Sequence, residues 1–225
     1  MEHETTWAHI KALESVVRNY GVAVLCYEDS HRIFRFVGHG ESSWQHQWIK
    51  TDEALTQWRW VAEKCGIKVI YALSARAKGK IERPYRWLQD RIVRRFAREH
   101  VDNIERTRII LQNETRRYNE HQVHSTTGEI PQIRFKNALK EGRNSFKPFQ
   151  LLPPYQSIKD IFCLHTFRKV DNCNQIWWAK QKIKLPIAAP SGTEIELHII
   201  PDEEHTEVRL WYQDRVIQVV HLKII

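Results

Sequence analysis

The sequence is poor in the residues that punctuate or staple a chain. Eight glycines and eight prolines occur in 225 residues, and no stretch is of low complexity. This argues against a disordered linker protein and for a packed core. Methionine occurs once, at position 1. The four cysteines, Cys26, Cys65, Cys163 and Cys173, include no CxxC pair. Cys26, Cys65 and Cys163 lie in apolar runs and read as reduced core residues rather than a disulfide framework. His121 and His124 lack cysteine partners at zinc-site spacing, so no zinc is expected. No run approaches the roughly 20 apolar residues of a membrane-spanning helix. Residues 1–15 are amphipathic and contain Glu2 and Glu4, unlike a signal peptide. The expectation is a soluble, cytoplasmic protein with no membrane partner. No internal repeat is visible.

Positive charge is abundant. The formal net charge is +8 and the isoelectric point about 9.4, which favours a polyanionic partner. Its location is more informative than its sum. Residues 151–225 carry nine basic and nine acidic side chains, so the whole excess lies in residues 1–150. The segment 74–98 alone has nine basic residues against two acidic ones. A cluster this dense, mostly arginine, suggests a phosphate-binding face.

Apolar periodicity predicts a helix over residues 5–19 with Ile10, Leu13, Val16 and Val17 on one face. Gly21 suits a left-handed turn after it. Residues 22–27 are continuously apolar and read as a central strand buried on both faces. Residues 38–53 look like a surface excursion. A second helix is expected over 53–65, with Leu55, Trp58, Val61 and Ala62 inward, and a second strand over 67–72. Helix, strand, helix, strand implies a parallel pair.

Pro84 belongs in the first turn of a helix, which places a helix start near residues 81–83 and an end near 100. Tyr85, Leu88, Ile92 and Phe96 form its expected buried stripe. Helices follow at 103–119, with Ile104, Leu111 and Tyr118 inward, and at 131–141. Residues 147–158, with three prolines, read as a linker. Beyond it short strands are expected at 159–169, 174–179, 182–187, 193–200, 205–212 and 215–222, suggesting a small closed barrel. The zero net charge of that part argues against a strong phosphate-binding surface, leaving protein docking and DNA contact equally open. The division is therefore 1–146, a linker at 147–158, and 159–225.

Two carboxylates stand at informative places. Glu82 falls at a helix start among Lys78, Lys80, Arg83 and Arg86. There it is either a metal ligand for phosphate chemistry or a charge offsetting the helix dipole. Asp29 follows the first strand, where α/β sheets place binding chemistry, or it is a turn residue.

The stretch Tyr27-Glu28-Asp29-Ser30-His31, then Lys78-Gly79-Lys80-Ile81-Glu82-Arg83, then Tyr118-Asn119 with His124 and Gly128, resembles the DDE-type transposases with an integrase core. The resemblance is to the insertion-sequence branch that ends in a small β-barrel like that of Mu transposase. It implies an α/β then all-β chain: an RNase H-like integrase core followed by an SH3-like barrel. It implies Mg²⁺- or Mn²⁺-dependent cleavage of DNA and strand transfer, with Asp29 and Glu82 as catalytic metal ligands. Lys78, Lys80, Arg83 and Arg86 would approach the DNA backbone. The implied partners are transposon ends, target DNA, and a further copy or a full-length transposase, in a bacterial, nucleoid-associated setting. In the family the first catalytic Asp lies on a three-stranded unit preceding the helix placed here at 5–19. That unit has no counterpart in these residues. The expectation is an N-terminally truncated core with impaired catalysis, or a non-catalytic DNA-binding remnant that inhibits assembly.

Overall fold

The structure is a computed structural model that describes residues 5–28, 33–34, 56–72, 79–202 and 204–223, with only the backbone described at 79 and 80. Contacts divide the chain into two compact units, one of Met1–Tyr71 with Phe146–Ile225 and one of Ala72–Ser145. One break falls between Ser145 and Phe146, beside the boundary expected at 146, and the other between Tyr71 and Ala72.

In the first unit, Thr5 caps helix α1 (Thr6–Tyr20) by accepting a hydrogen bond from the Ala8 amide. Gly21 follows with φ of 95°. A side chain there would be strained by that φ, and its Cβ would also lie 2.5 Å from the Lys147 carbonyl oxygen. The close approach lets Val22 and Lys147 exchange two backbone hydrogen bonds, of 2.8 and 2.9 Å. Strand β1 (Leu25–Glu28) then pairs in parallel with β2 (Lys68–Tyr71), as the alternation of helix and strand implied. Between them, Thr56 caps α2 (Gln57–Lys64). The expected residues 53–55 of that helix, the 38–53 excursion and Asp29 lie outside the described residues.

β1 is not buried on both faces. Leu25 and Tyr27 are each 44% exposed, while Cys26 packs inward. A two-stranded sheet covered on one side shows period-two alternation whatever the hydrophobicity of its open side. The core beneath it gathers Ile10, Leu13 and Val17 of α1, Trp58, Val61 and Ala62 of α2, and Ile67. It also takes in Ile161 and Phe162, with Phe149, Leu151, Tyr155 and Ile158 packed against it. The Pro-rich stretch expected as a linker therefore supplies side chains to this core.

The expected strand at 159–169 begins instead as a single 3₁₀ turn, Ile158–Asp160. The Asp160 carboxylate accepts hydrogen bonds from the Gln156 and Ser157 amides, at 2.9 and 2.8 Å, and closes the turn. Arg209 Nε stands 2.7 Å from its other oxygen. Antiparallel strands follow: β3 (Leu164–Lys169), β4 (Gln175–Trp178), β5 (Gln181–Lys184), β6 (Glu194–Ile200), β7 (Thr206–Tyr212) and β8 (Arg215–Leu222). They form a four-stranded sheet in the order β3-β6-β7-β8 and a separate β4–β5 hairpin. Both ladders share one core, with Ile176 and Ile183 of the hairpin against Ile195, Leu197, Val208 and Leu210.

The second unit is helical: α3 (Gly79–Glu99), α4 (Ile104–His121) and α5 (Pro131–Lys140). α3 starts before the expected residues 81–83, so Pro84 lies deeper in the helix than its first turn. Its missing N–H removes one bond to the carbonyl four residues back. Of the expected α3 stripe, Tyr85 is 61% exposed and Leu88, Ile92 and Phe96 are half-buried. In α4, Ile104 and Leu111 are exposed, and the buried residues are Ile110, Glu114 and Tyr118. At 3.6 residues per turn Ile110, Glu114 and Tyr118 span about 80° of the helix, and Leu111 and Ile104 lie about 20° and 40° beyond Tyr118, at and past the edge of that face. The polar Glu114 hides that face from a hydrophobic pattern.

Candidate functional site

α3 and α4 run in opposite directions, so the start of one meets the end of the other. Trp87 and Tyr118 pack with ring centroids 5.0 Å apart. Arg91 Nε is 2.9 Å from one Glu114 oxygen and Arg95 Nη1 is 3.0 Å from the other. Further along, Arg106 is 3.5 Å from Glu99. The guanidinium of Arg91 also stands 4.8 Å from the Trp87 ring centroid.

At the open end of this hairpin Arg83 donates a hydrogen bond to the Thr126 hydroxyl. Thr126 sits in a tight turn. The Thr127 and Gly128 amides donate to the His124 carbonyl, and the His124 amide donates to the Glu129 carbonyl. Gly128 has φ of 69°, the left-handed region that glycine enters at little cost. The Thr126 amide donates to His124 Nδ1 at 3.2 Å, which places the proton of neutral His124 on Nε2. Two stretches distant in sequence, the start of α3 at Arg83 and the turn at 124–128, are thus brought to one place.

Glu82 lies in the first turn of α3 and is exposed. It makes no hydrogen bond or ion pair with a described residue, and it sits at the positive end of the helix dipole. Arg83 and Arg86 are both exposed, and Arg86 has no acidic partner among the described residues. Lys78 and Asp29 lie outside the described residues, and of Lys80 only the backbone is described. The structure therefore brings Glu82 and Arg83 to one helix start but does not describe Asp29 beside them. Among the described residues no group of three or more His, Cys, Asp or Glu side chains could hold a metal ion.

The arginine cluster is less free than its count suggests. Arg91 and Arg95 are tied to Glu114, Arg95 and Arg98 to Glu99, and Arg94 to Asp90. Burial pushes the Glu114 carboxyl up, but the hydrogen bonds from Arg91 and Arg95 outweigh it and hold the carboxyl below its ordinary value. Arg86, Arg116 and Arg117 are the arginines of the hairpin with neither an acidic partner nor a hydroxyl partner among the described residues. Sequence reasoning missed Thr126 and Glu114. A threonine in a turn gives no signal, but the steps of four from Ile110 through Glu114 to Tyr118 mark a helix face that includes Glu114.

The first unit holds a different cluster. His198 is 1% exposed, stacks on Trp211 at 5.0 Å and places Nε2 3.1 Å from Glu196. Trp60 of α2 stacks on His165 at 4.3 Å. Gln57 bonds both backbone groups of His165, donating to its carbonyl and accepting from its amide, and so fixes α2 to β3. Burial pushes His165 below its ordinary value, against the raising effect of Glu196. The cluster joins a helix to a sheet.

No protein-family model matches the chain, and no solved structure matches it. Over 182 residues, 81% of its length, the chain is 24% identical to a protein named "Putative transposase y4bF" from Sinorhizobium fredii. The chain spans 35% of that protein's length. Among the described residues no helix is long and apolar enough to cross a membrane.

Proposed function

We propose that this chain is the catalytic-core and C-terminal part of a DDE transposase, with an RNase H-like core and an SH3-like β-domain. The observation that carries the reading is the contact of Arg83, from one motif of the resemblance, with Thr126, in the turn between His124 and Gly128 of the other. The similarity to a protein named as a transposase supports it. In this reading Asp29 and Glu82 hold Mg²⁺ or Mn²⁺, and Lys78, Lys80, Arg83 and Arg86 lie along the DNA backbone. Glu82 suits such a hard cation, being an oxygen donor uncommitted to any described cation. A bound Mg²⁺ supplies activation of water or a 3′-hydroxyl for attack on a phosphodiester. The residues of the chain do the positioning. Arg83, held by Thr126, and Arg86 about one turn on place positive charge beside Glu82, where phosphates would bring negative charge.

Two of the family's three carboxylates have counterparts in these 225 residues, so the chain by itself is expected to show little strand transfer. The test compares duplex DNA binding and Mg²⁺-dependent end cleavage for the unaltered chain, Asp29→Ala and Glu82→Gln. Binding that weakens steeply with salt, with any cleavage abolished by either substitution, supports the assignment. Mg²⁺-dependent cleavage that persists in Asp29→Ala would sink it.

A second reading is a non-catalytic DNA-binding or transposase-interacting protein. The arginines at 86, 116 and 117, which lack acidic partners among the described residues, favour it. Duplex binding unchanged by Glu82→Gln, with no cleavage under any condition, separates it from the first.

A further inference from the structure

The neutral charge balance of residues 151–225 conceals a segregation. Between Asp171 and Glu194 the chain carries three lysines and no acid. Those lysines, Lys180, Lys182 and Lys184, all lie on the β4–β5 hairpin or its turn. Ala179 and Lys180 take positive φ of 46° and 61°, which makes the two-residue turn that matches strand twist. The register pairs Trp177 with Lys182 and Gln175 with Lys184. Alternation then sends Ile176, Ile183 and Leu185 into the core and leaves Trp177, Lys182 and Lys184 outside.

Trp177 is 52% exposed, an unusual position for so large an apolar ring. Lys182 Nζ stands 5.0 Å from its ring centroid. None of the three lysines has an acidic partner among the described residues. We propose that this hairpin is a docking site for single-stranded nucleic acid, with Trp177 stacking on an unpaired base and Lys180, Lys182 and Lys184 contacting phosphates.

The pairing of features selects this partner. Three lysines alone would serve any polyanion. An exposed indole beside them adds a flat apolar face, which a base presents only when it leaves the duplex stack. An acidic peptide offers the charge but no ring to match. Lys182 and Lys184 lie two residues apart on one strand, about 7 Å, a spacing suited to neighbouring phosphates on an extended backbone. The proposal rests on the nucleic-acid part of the function proposed above and does not depend on the metal or on Glu82.

The test uses the full 225-residue chain and labelled oligothymidine, with a duplex of equal length as the second probe, read by fluorescence anisotropy. Trp177→Ala is expected to weaken oligothymidine binding about 10-fold and duplex binding by less than about 2-fold, while Trp177→Phe keeps most of the affinity. The double charge reversal Lys182→Glu with Lys184→Glu is expected to weaken oligothymidine binding and flatten its salt dependence. Thermal melts of each variant establish that it folds. Oligothymidine affinity unchanged in a folded Trp177→Ala, or equal losses for single strand and duplex, would overturn the proposal. Binding of polyglutamate in preference to oligothymidine would overturn it as well. Mg²⁺-dependent end cleavage by the Trp177→Ala chain reads the transposase proposal separately, so a failure here is distinct from a failure of that reading.

Discussion

In the unit formed by Met1–Tyr71 and Phe146–Ile225, the buried side chains are mainly hydrocarbon, arranged in two clusters. In the unit Ala72–Ser145 the fully buried side chains of α4 are Ile110, Glu114 and Tyr118, while Ile81, Tyr85, Val93, Ile109 and Ile133 are exposed. The first is held by removing apolar surface from water, worth roughly 1.5–3 kcal/mol for each fully buried large side chain. The second relies on carboxylates threaded between arginines, which contribute less and respond to pH and salt. The contrast shows that a segment rich in arginine is not equally rich in available positive charge. Part of the basic cluster holds the helices together, and only the remainder is free to meet a polyanion.

The largest effect is expected from a hole in the hydrocarbon core. Leu197, fully buried in the sheet cluster, should cost about 2–5 kcal/mol on Leu197→Ala. The urea midpoint of the first unit would fall, with amide exchange in α3 and α4 unchanged. Equal loosening of both units would break the distinction between them.

Next comes the ionic seam. Glu114→Ala leaves Arg91 and Arg95 without their common acid and is expected to cost about 1–3 kcal/mol, read as faster amide exchange across α3 and α4. Glu114 also makes this seam sensitive to acid. Its carboxyl is depressed in the folded state, so its contribution is complete above the ordinary value of 4.5 and is lost as the pH falls through the lower, folded value. An α3–α4 hairpin that keeps its protection well below that range would refute the role.

A smaller effect sharpens the comparison within one helix. Arg86→Ala is expected to reduce the salt slope of duplex binding by about 1 with little change in stability. Arg91→Ala should do the reverse. Identical behaviour of the two variants would erase the difference between free and committed arginines.

The smallest expected effect is the titration of His165. Burial holds it below the ordinary 6.5, so its contribution is present above that value and is lost as the pH falls through the folded value. His198 and Lys64 add to the burial effect and Glu196 opposes it. His165→Asn should flatten the stability of the first unit between neutral and mildly acidic pH in thermal melts.

Much of the element order was legible. The α1 stripe of Ile10, Leu13 and Val17, though not Val16, which is exposed, the parallel pairing of β1 and β2, and the change to short antiparallel strands after residue 158 all follow from local periodicity. Glu82 in a first helical turn follows from the position of Pro84, although the helix starts earlier than that proline suggested. The inward face of α4 was not legible, because Glu114 occupies a core position and matches no hydrophobic pattern. The role of residues 147–158 was hidden as well. Prolines break helical periodicity, but Phe149, Leu151 and Tyr155 still pack into a core built by residues far away in sequence. At the candidate site, the residue types were legible and the Arg83–Thr126 contact was not, since a turn hydroxyl carries no pattern.

The sequence by itself determined what depends on neighbours within a few residues. That covers the order of helices and strands along the chain, which cysteines avoid a disulfide pattern, and where basic residues crowd together. Tertiary structure alone decided which charges are spent and which remain. Arg91 and Arg86 are alike in sequence terms, five residues apart on one helix. One faces α4 and meets Glu114, and the other has no acid within reach among the described residues. Likewise, a net charge of zero in residues 151–225 follows from counting, while the gathering of Trp177, Lys182 and Lys184 on the outer face of the β4–β5 hairpin follows from strand register. Counting adds charges regardless of place, but electrostatic interactions fall off with distance and with screening, so only geometry fixes the field a partner meets.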